Sequence, residues 1–282
     1  MRILLLTAVF ILIMQHIALA QFCTGSLGDP TVFLDFGSRG QPPAPITKEN
    51  TSYTPATGGC PKPGEFGLRG LLFGCYDNAW NTVIADHTPN DLDGYYLLLN
   101  AGTKEGNLYV TPVNGLCPNT TYQVGVWIAN ILKPGICANS IKPNITLQVE
   151  TPTGTVLASY KTGIITETSG GISWKEYALS FKTPASPDIV LRLVNSAATE
   201  GDCGNILIMD DISFKPCGPV ISALILKNGS SYLGICEDLA DATYTLQGQY
   251  GSGFTNPAYQ WQESYDFGLS WQDINGAVSQ NY

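Results

Sequence analysis

Short runs of alternating apolar and polar residues, separated by Gly, Pro and Asn, occupy most of the chain. No stretch keeps an apolar period of 3.6 residues, so no amphipathic helix is predicted. The runs with strand character are Thr31–Asp35, Gly94–Asn100, Leu108–Thr111, Thr121–Ala129, Asn144–Glu150, Thr155–Tyr160, Trp174–Phe181, Ile189–Val194 and Asn205–Phe214. Many short strands with regular turns are typical of a β-sandwich or barrel. We predict an all-β chain with a jelly-roll β-sandwich over residues 21–217, a region too long for one immunoglobulin sandwich.

The pattern changes after the Pro-rich and Gly-rich segment that ends at Pro219, which is predicted to be a linker. Beyond it, two strands are predicted at Ile221–Leu226 and Thr243–Gly248. A hairpin is predicted from Ala258–Gln262 and Ser270–Ile274 around a turn that contains Asp266 and Gly268. Residues 218–282 are therefore predicted to form a second, smaller β domain.

The N-terminus has the three parts of a secretory signal peptide. Arg2 supplies a positive charge, Leu4–Met14 is apolar, and Ala18-Leu19-Ala20 has the small-x-small form of a cleavage site. The apolar run is shorter than the ~20 residues that a membrane-spanning helix needs. We therefore expect residues 1–20 to be removed before Gln21, the product to be secreted or attached to the cell surface, and the mature chain to have no membrane span.

Composition narrows the possible partners. Charged residues make up 13% of the chain, and the net charge of −9 becomes −10 once Arg2 is removed with the signal peptide. Nucleic-acid binding needs a basic patch, so no nucleic-acid partner is expected. The low charge reflects strands rich in Thr, Ser and Asn, because the one long apolar run is the signal peptide.

Eight cysteines in an exported chain predict disulfides. None has the C-x-x-C spacing of a metal or redox site. We predict that Cys23 and Cys217 join the two ends of the first domain and that Cys60 and Cys75 close a loop. Seven cysteines lie in the first domain and one, Cys236, in the second, so we expect either a bridge between the domains or a partner for Cys236 beyond Tyr282.

Catalytic motifs are absent from the sequence. The mature chain has a single histidine, His87, and no G-x-S-x-G motif, so a multi-histidine zinc site is excluded and a Ser-His-Asp system would need His87. We favour a local hydrogen bond for His87 at a loop or strand end. Paired carboxylates for glycoside hydrolysis are defined by geometry, and 23 acidic residues leave that question open. The chain is predicted to be non-enzymatic.

Two sets of motifs, one in each domain, point to the same class of protein. The second domain contains Tyr259-Gln-Trp-Gln262 and the Ser264, Asp266, Gly268, Trp271 pattern. The first contains Cys23-x-Gly25, Phe33-x-Asp35-Phe36-Gly37, Asp86-His87-Thr88, Trp127-x-x-Asn130 and Asp210-Asp211-Ile212. Through these motifs the second domain resembles the immunoglobulin-like or PKD-like modules, and the first the N-terminal jelly roll, of large secreted surface proteins of Bacteroidetes that carry gliding-motility-associated or type IX secretion sorting domains. The resemblance implies a carbohydrate-binding-like jelly roll followed by an incomplete immunoglobulin-like sandwich. Because residues 218–282 fall short of the ~100 residues of such a sandwich, we expect a truncated gene product.

A structural Ca²⁺ is the cofactor that the resemblance implies. Strict alternation would place Asp210 on one face with Ile208 and Ile212, and a carboxylate on an apolar face is costly unless it is paired or bound to a cation. Asp210 is the first candidate ligand, with Asp35 or Asp211 assisting; the alternative is an Asp bonded to backbone amides at a bulge. The acidic loop Asn90–Gly94, with Asp91 and Asp93, lacks the length of an EF-hand loop and is predicted to be a solvated turn.

Sugar binding needs exposed aromatic faces beside polar groups, and the candidates are Trp80, Tyr95, Tyr96, Trp127 and Trp174. Trp127 points away from the core face of its strand, so it is either an exposed platform or a covered ring. Trp80, in a polar loop, is the best exposed candidate; for every one of these rings simple packing is the alternative. We predict adhesion or glycan binding at the cell surface. The alternatives are a purely structural stalk or display element of a longer surface protein, and an accessory part of a polysaccharide-degrading enzyme.

Overall fold

The computed structural model describes most of the mature chain. The described residues are 22–38, 44–91, 93–197, 199–218, 221–226, 229, 243–250, 258–266 and 269–282. The predicted signal peptide, residues 1–20, and Cys236 lie outside them. The predicted domain boundaries, 21–217 and 218–282, stay predictions.

All regular structure in the described part of the chain is β-structure. The strands are β1 Ser26–Leu27, β2 Val32–Leu34, β3 Thr54–Pro55, β4 Glu65–Arg69, β5 Tyr96–Asn100, β6 Gly106–Val113, β7 Thr121–Asn130, β8 Ser140–Ile141, β9 Asn144–Glu150, β10 Val156–Ile164, β11 Lys175–Lys182, β12 Ile189–Asn195, β13 Cys203–Gly204, β14 Ile206–Gly218, β15 Ile221–Ile225, β16 Leu246–Tyr250, β17 Gln262–Glu263 and β18 Gln272–Asp273. The predicted all-β class is confirmed.

Two sheets pack face to face as a jelly-roll β-sandwich, as predicted. The large sheet has the order β11-β7-β14-β5-β4-β3, with β1 and β2 also paired to β14, and the second sheet has the order β10-β9-β12-β6. Their facing sides form the main hydrophobic core, which includes Val124, Val126 and Ile128 of β7. Alternation along β7 therefore selected the correct core face.

A β-bulge in β14 reverses which side of the large sheet its residues face. Ile206 and Ile208 lie on the outer side, whereas Ile212 and Phe214 lie in the main core. The register with β7 shifts between Asp210 and Ser213, and Asp211 has a φ of 46°. The prediction that these apolar residues share one face with Asp210 is wrong, because one extra residue in a strand inverts the alternation beyond it.

The outer face of the large sheet is covered by residues 71–91, here called the cover segment. A second hydrophobic cluster joins Leu72, Trp80 and Val83 of the cover segment to sheet residues such as Leu98 and Ile208. The segment has no continuous strand; isolated bridges pair Leu72 with Val83 and Trp80 with Leu132. Side chains hold it in place more than backbone pairing does.

Three disulfides link the described cysteines of the first domain. Cys23–Cys217 and Cys60–Cys75 are both as predicted. A third, Cys137–Cys203, was not among the predicted pairs. Cys117 has a free, exposed thiol.

The C-terminal residues form two short ribbons, β15 with β16 and β17 with β18. The second is the predicted hairpin, and Asp266 accepts hydrogen bonds from the Ser264 hydroxyl and the Ser270 backbone N–H at its turn, each at 2.8 Å. The immunoglobulin-like assignment of this part stays a prediction. Within the described residues, no helix has the length and apolar character to cross a membrane.

Candidate functional site

Of the five aromatic residues that the sequence offered as sugar platforms, two are buried and three are partly exposed. Trp80 is 4% exposed and Tyr96 is fully buried, so the expectation that Trp80 is the best exposed ring is wrong. The polar residues around Trp80 face solvent, while its indole packs on the sheet. Tyr95 is partly exposed, in keeping with its position opposite Tyr96.

Trp127 is a covered ring, the second of the two predicted possibilities. Its indole stacks on the His87 imidazole, with centroids 3.9 Å apart and an interplanar angle of 20°. Trp174 contacts the same imidazole edge-on at 5.5 Å. His87 therefore packs the end of the cover segment against the outer face of β7.

The β-bulge places two carboxylates under the cover segment. Asp210 is fully buried, its Oδ2 accepts the His87 backbone N–H at 2.9 Å, and its Oδ1 has no hydrogen-bond partner. Burial raises the pKa of Asp210 to about 8. An orphaned oxygen on a fully buried carboxylate is a costly arrangement unless something positive neutralises it.

Asp211 anchors the cover segment. Its Oδ2 lies 2.7 Å from His87 Nδ1, and its Oδ1 accepts the Thr88 hydroxyl hydrogen bond at 2.7 Å. The hydrogen bond predicted for His87 is present, although its partner is 124 residues away and not local. Both oxygens of Asp211 are therefore engaged in hydrogen bonds. Its assignment as a Ca²⁺ ligand stays a prediction.

Further carboxylates converge on the same place from the cover segment and from the end of β2. Both oxygens of Asp86 and the Oδ2 of Asp91 are buried without partners. Burial, together with the charges of Asp91, Asp211 and Asp35, raises the pKa of Asp86 to about 6. We call Asp35, Asp86, Asp91 and Asp210 the acidic cluster; Asp35 Oδ1 accepts the Gly37 N–H at 3.0 Å.

The acidic cluster offers hard oxygen donors, which Ca²⁺ prefers. Gly94 lies against it, and a Cβ there would be 2.7 Å from Asp86 Cγ. As the side chains stand, no three Asp, Glu, His or Cys groups among the described residues are close enough to hold a metal ion. A cation would therefore have to draw the orphaned oxygens inwards.

A pocket of about 400 Å³ opens at the other end of the cover segment. It is walled by short pieces of five loops and strands. Its lining residues are Pro63, Tyr76, Ala79, Trp80, Asn100, Gly102, Thr103, Leu132, Ile136, Ile141, Gly201, Asp202, Cys203, Gly204 and Ile206. The lining is mostly apolar with a few polar groups, which is the usual character of a small-molecule site.

Tyr76 supplies an exposed aromatic face at this pocket. It is 46% exposed and stacks on the buried Trp80, with ring centroids 4.8 Å apart. Tyr76, Asp77 and Asn78 have φ angles of 50°, 53° and 64°. Three consecutive non-glycine residues in this region are uncommon and store strain, which accumulates at functional sites. This strained turn places the Tyr76 ring over the ring of Trp80.

Three polar side chains line the pocket together with Tyr76. Thr103 and Asp202 are exposed, and the Asn100 side chain is nearly buried. Asn100 Nδ2 donates to Pro61 O at 2.9 Å, and Asp202 Oδ2 accepts the Asn139 N–H at 3.2 Å. The pocket thus pairs one aromatic face with an amide, a hydroxyl and a carboxylate.

The sequence offered Trp80 as the exposed ring of this segment, whereas the structure buries Trp80 and exposes Tyr76 at the pocket. Tyr76 is four residues before Trp80 in the same loop, and its adjacency to Cys75 was the available signal, since the disulfide fixes that end of the loop. Asp86 and Asp91 were missed as partners of Asp210. Only the bulge and the fold of the cover segment, both non-local, bring them together.

No known protein family matches the chain, and no curated protein matches it by sequence. Solved structures with a similar fold are found. The chain is similar to the xylan-binding domain CBM22-1 of Xyn10C from Paenibacillus barcinonensis, with 9% identity over 67% of this chain and 96% of that one, and a TM-score of 0.33.

It is also similar to the K3 adhesin domain of Lys-gingipain from Porphyromonas gingivalis, with 12% identity over 66% of this chain and 97% of that one, and a TM-score of 0.31. An arabinose-bound GH51 α-L-arabinofuranosidase matches with 17% identity over 67% of this chain, and a TM-score of 0.34. The chain spans 27% of the length of that enzyme. At these identities and scores the likeness carries no information on ligand or activity.

Proposed function

We propose that this protein is an extracellular, non-catalytic carbohydrate-binding module that holds a sugar in the pocket beside Tyr76. The observation that carries the proposal is the exposed Tyr76 ring, stacked on Trp80 at the mouth of a pocket of about 400 Å³. A sugar ring has an apolar face that packs on an aromatic ring and a rim of hydroxyls. Asn100, Thr103 and Asp202 are placed to hydrogen-bond such hydroxyls.

The lining supports binding without hydrolysis. Glycoside hydrolysis uses two carboxyl groups on either side of the scissile bond. Asp202 is the one carboxylate among the residues that line the pocket. Export is supported by the signal-peptide pattern and by three disulfides, which persist in oxidising compartments. Attachment to a bacterial surface, as the sequence resemblance implies, belongs to the same proposal.

A glycan array with the mature chain, residues 21–282, tests this function. We expect binding to a subset of neutral glycans and a loss of at least ~10-fold in affinity in Tyr76→Ala, equal to about 1.4 kcal/mol. The matched control is Phe73→Ala, which removes an exposed ring of the same segment that does not line the pocket. Absence of binding on the whole array, or equal binding by Tyr76→Ala, would contradict the proposal and favour a structural stalk.

We further propose that Ca²⁺ binds the acidic cluster and holds the cover segment on the sheet. The support is the set of buried, unpartnered oxygens on Asp210, Asp86 and Asp91, which a hard divalent cation would neutralise. The charge of Asp35 also acts on Asp86, and Asp211 is hydrogen-bonded to His87 and Thr88.

Calorimetric titration of Ca²⁺ into chelator-treated protein tests the cation site. We expect saturable binding in the wild type and none in Asp210→Ala. Asp188→Asn, which changes an exposed acid outside the cluster, should bind as the wild type does. If the wild type gives no heat and no rise in melting temperature with Ca²⁺, the cation proposal fails, while the glycan proposal is unaffected.

A further inference from the structure

We infer that the pocket takes the terminal sugar of a glycan chain, that it excludes internal stretches of the chain, and that this sugar is uncharged. The inference rests on the proposed carbohydrate binding and concerns the shape and charge of the same pocket. An internal stretch needs a groove with two open ends, through which the chain enters and leaves. The walls of this pocket leave no such gap.

The first wall joins residues 60–63 to the Tyr76 turn. The Cys60–Cys75 disulfide links the two pieces covalently. The Tyr76 hydroxyl also donates a hydrogen bond to Pro61 O at 2.9 Å. The disulfide and this hydrogen bond hold the two pieces together on this side of the pocket.

The second junction joins the Tyr76 turn to the segment after β7. Trp80 and Leu132 form an antiparallel bridge. Lys133 N donates to Ala79 O at 3.0 Å. Backbone hydrogen bonds therefore close this side, and the buried rings and side chains of Trp80 and Leu132 form part of the floor.

The third junction is again covalent. The Cys137–Cys203 disulfide ties the segment after β7 to the segment before β14. Asn139 and Asp202 are joined twice beside it, by Asp202 N to Asn139 O at 3.0 Å and by Asn139 N to Asp202 Oδ2 at 3.2 Å. Asp202 is therefore held at the rim.

The last two junctions join the segment before β14 to residues 100–102, and those residues to Pro61 in the first wall. Ala101 N donates to Asn205 O at 2.9 Å, and Asn205 Nδ2 donates to Gly102 O at 2.8 Å. Asn100 Nδ2 then donates to Pro61 O at 2.9 Å, which is part of the first wall. These contacts, two of them disulfides, join each of the five pieces around the pocket to the next. From this ring of contacts we infer that the pocket is a bowl with one opening.

The size of the bowl agrees with this shape. A volume of about 400 Å³ is at the lower end of the range for pockets that hold one small molecule. It has room for the end of a glycan and lacks the length of a multi-residue groove. The floor, formed by Trp80, Leu132 and Ile206, is buried, so the ligand enters end-first from the open side.

The charge of the lining selects among sugars. Asp202 is the one charged residue among those that line the bowl, and it is negative. An anionic sugar, such as a uronic acid, would place a second carboxylate near Asp202 without a basic partner in the lining, and like charges in a partly desolvated site repel. A neutral sugar has hydroxyls that donate to Asp202 instead.

Isothermal titration with neutral oligosaccharides of one to six units tests the end-first geometry. The probes are homologous series of xylose, mannose, glucose and arabinose, and each is also tested with its terminal residue blocked. We expect affinity per molecule to change less than ~3-fold between two and six units, and terminal blocking to lower it at least ~10-fold. Affinity that rises ~10-fold or more up to six units would overturn the inference.

Different outcomes would overturn the carbohydrate function and the chain-end binding. If affinity rises with length and is lost in Tyr76→Ala, the carbohydrate function stands and the chain-end inference is overturned. If no glycan binds, either on the array or in these series, the carbohydrate function itself fails.

The charge selection has its own test. We expect wild-type protein to favour a glucose-terminated over a glucuronate-terminated oligosaccharide by at least ~10-fold, and Asp202→Asn to narrow that ratio. The control Asp188→Asn should leave the ratio unchanged, and its melting temperature, compared with that of Asp202→Asn, shows that both variants are folded. A wild type without preference, or a ratio that Asp202→Asn leaves intact, would overturn the selection of an uncharged sugar.

Discussion

The inner face of the large sheet meets a second sheet, whereas its outer face meets a segment without regular strands. Both faces are apolar and fully buried along β5: Leu97 and Leu99 point inwards, while Tyr96 and Leu98 point outwards. The inner contact consists of buried hydrophobic side chains from the two sheets. The outer one also contains the acidic cluster, a histidine stacked on Trp127, and a pocket.

This difference between the two faces indicates where a β-sandwich can carry a binding site. A sheet-on-sheet core leaves no room for unpartnered charge, because each polar group there would be desolvated without compensation. A cover built from loop residues can present polar groups at its ends and an apolar centre between them. We expect the inner face to determine whether the protein folds and the outer face to determine what it binds.

The largest expected effect on stability comes from truncating one of two neighbouring leucines of β5. Leu98 and Leu99 are both fully buried, on opposite faces. Leu99→Ala should lower the free energy of unfolding by about 3 kcal/mol, through lost burial and a cavity in the main core. Leu98→Ala should instead raise hydrogen exchange in residues 71–91 more than in β7, because the cover can open locally. Equal exchange changes in both variants would show that the two faces unfold as one unit.

The next effect concerns the close approach at Gly94. A Cβ at this position would meet the Asp86 carboxylate, so Gly94→Ala should cost about 1–3 kcal/mol, measured by denaturant unfolding, with the loss concentrated in the cover segment. Gly58→Ala is the matched control, since nothing lies within 4 Å of its Cβ position. A cost in Gly94→Ala no greater than in Gly58→Ala would mean that the acidic cluster is not closely packed.

A smaller effect, opposite in sign, is expected at Asp210. In chelator at pH 7, Asp210→Asn should stabilise the protein by about 1 kcal/mol. Because burial raises the pKa of Asp210 to about 8, this carboxyl group must take up a proton on folding at pH 7, and its Oδ1 has no hydrogen-bond partner; the amide removes the cost of that proton uptake. In excess Ca²⁺ the order should reverse, with the wild type melting higher. Melting curves of the two proteins in both buffers check this, and a wild type that is more stable in chelator as well would contradict it.

The smallest expected effect is the difference in stability between substitutions on the buried and the exposed side of the cover segment. Val83 is 2% exposed and packs on the sheet, whereas its neighbour Ile84 is 73% exposed. Ile84→Ser should change stability by less than about 0.5 kcal/mol, and Val83→Ala should cost about 1–2 kcal/mol. Thermal unfolding of both variants checks the difference; an equal cost would mean that Ile84 is covered in solution.

Alternation along the chain was enough to predict the sandwich and the core face of β7, because both depend on local periodicity. It failed at Asp210, where a single bulge residue inverts the faces of β14, and a bulge has no reliable local signal. It failed again at Trp80, where a polar neighbourhood suggested exposure. The cover segment buries that ring through contacts with residues more than 100 positions away, such as Ile206 and Ile208.

Disulfide pairing was predicted where it joins chain ends or closes a short loop. Cys137–Cys203 joins two loops whose proximity exists only after both sheets have formed, so sequence spacing contains no sign of it. The same is true of the pocket wall, which this bond completes. The pocket was therefore harder to predict than the core, because its lining comes together only in the folded chain.

The Cys23–Cys217 bond has a mechanical consequence. It joins the segment just before β1 to the end of β14, and β1 pairs with β14 at the same place. The two cysteines are 194 positions apart in the sequence. A pulling force applied before Cys23 and after Cys217 would be carried by the covalent bond and would bypass both sheets. Under tension, as on a surface exposed to flow, the sandwich and its pocket would keep their shape while the flanking segments extend.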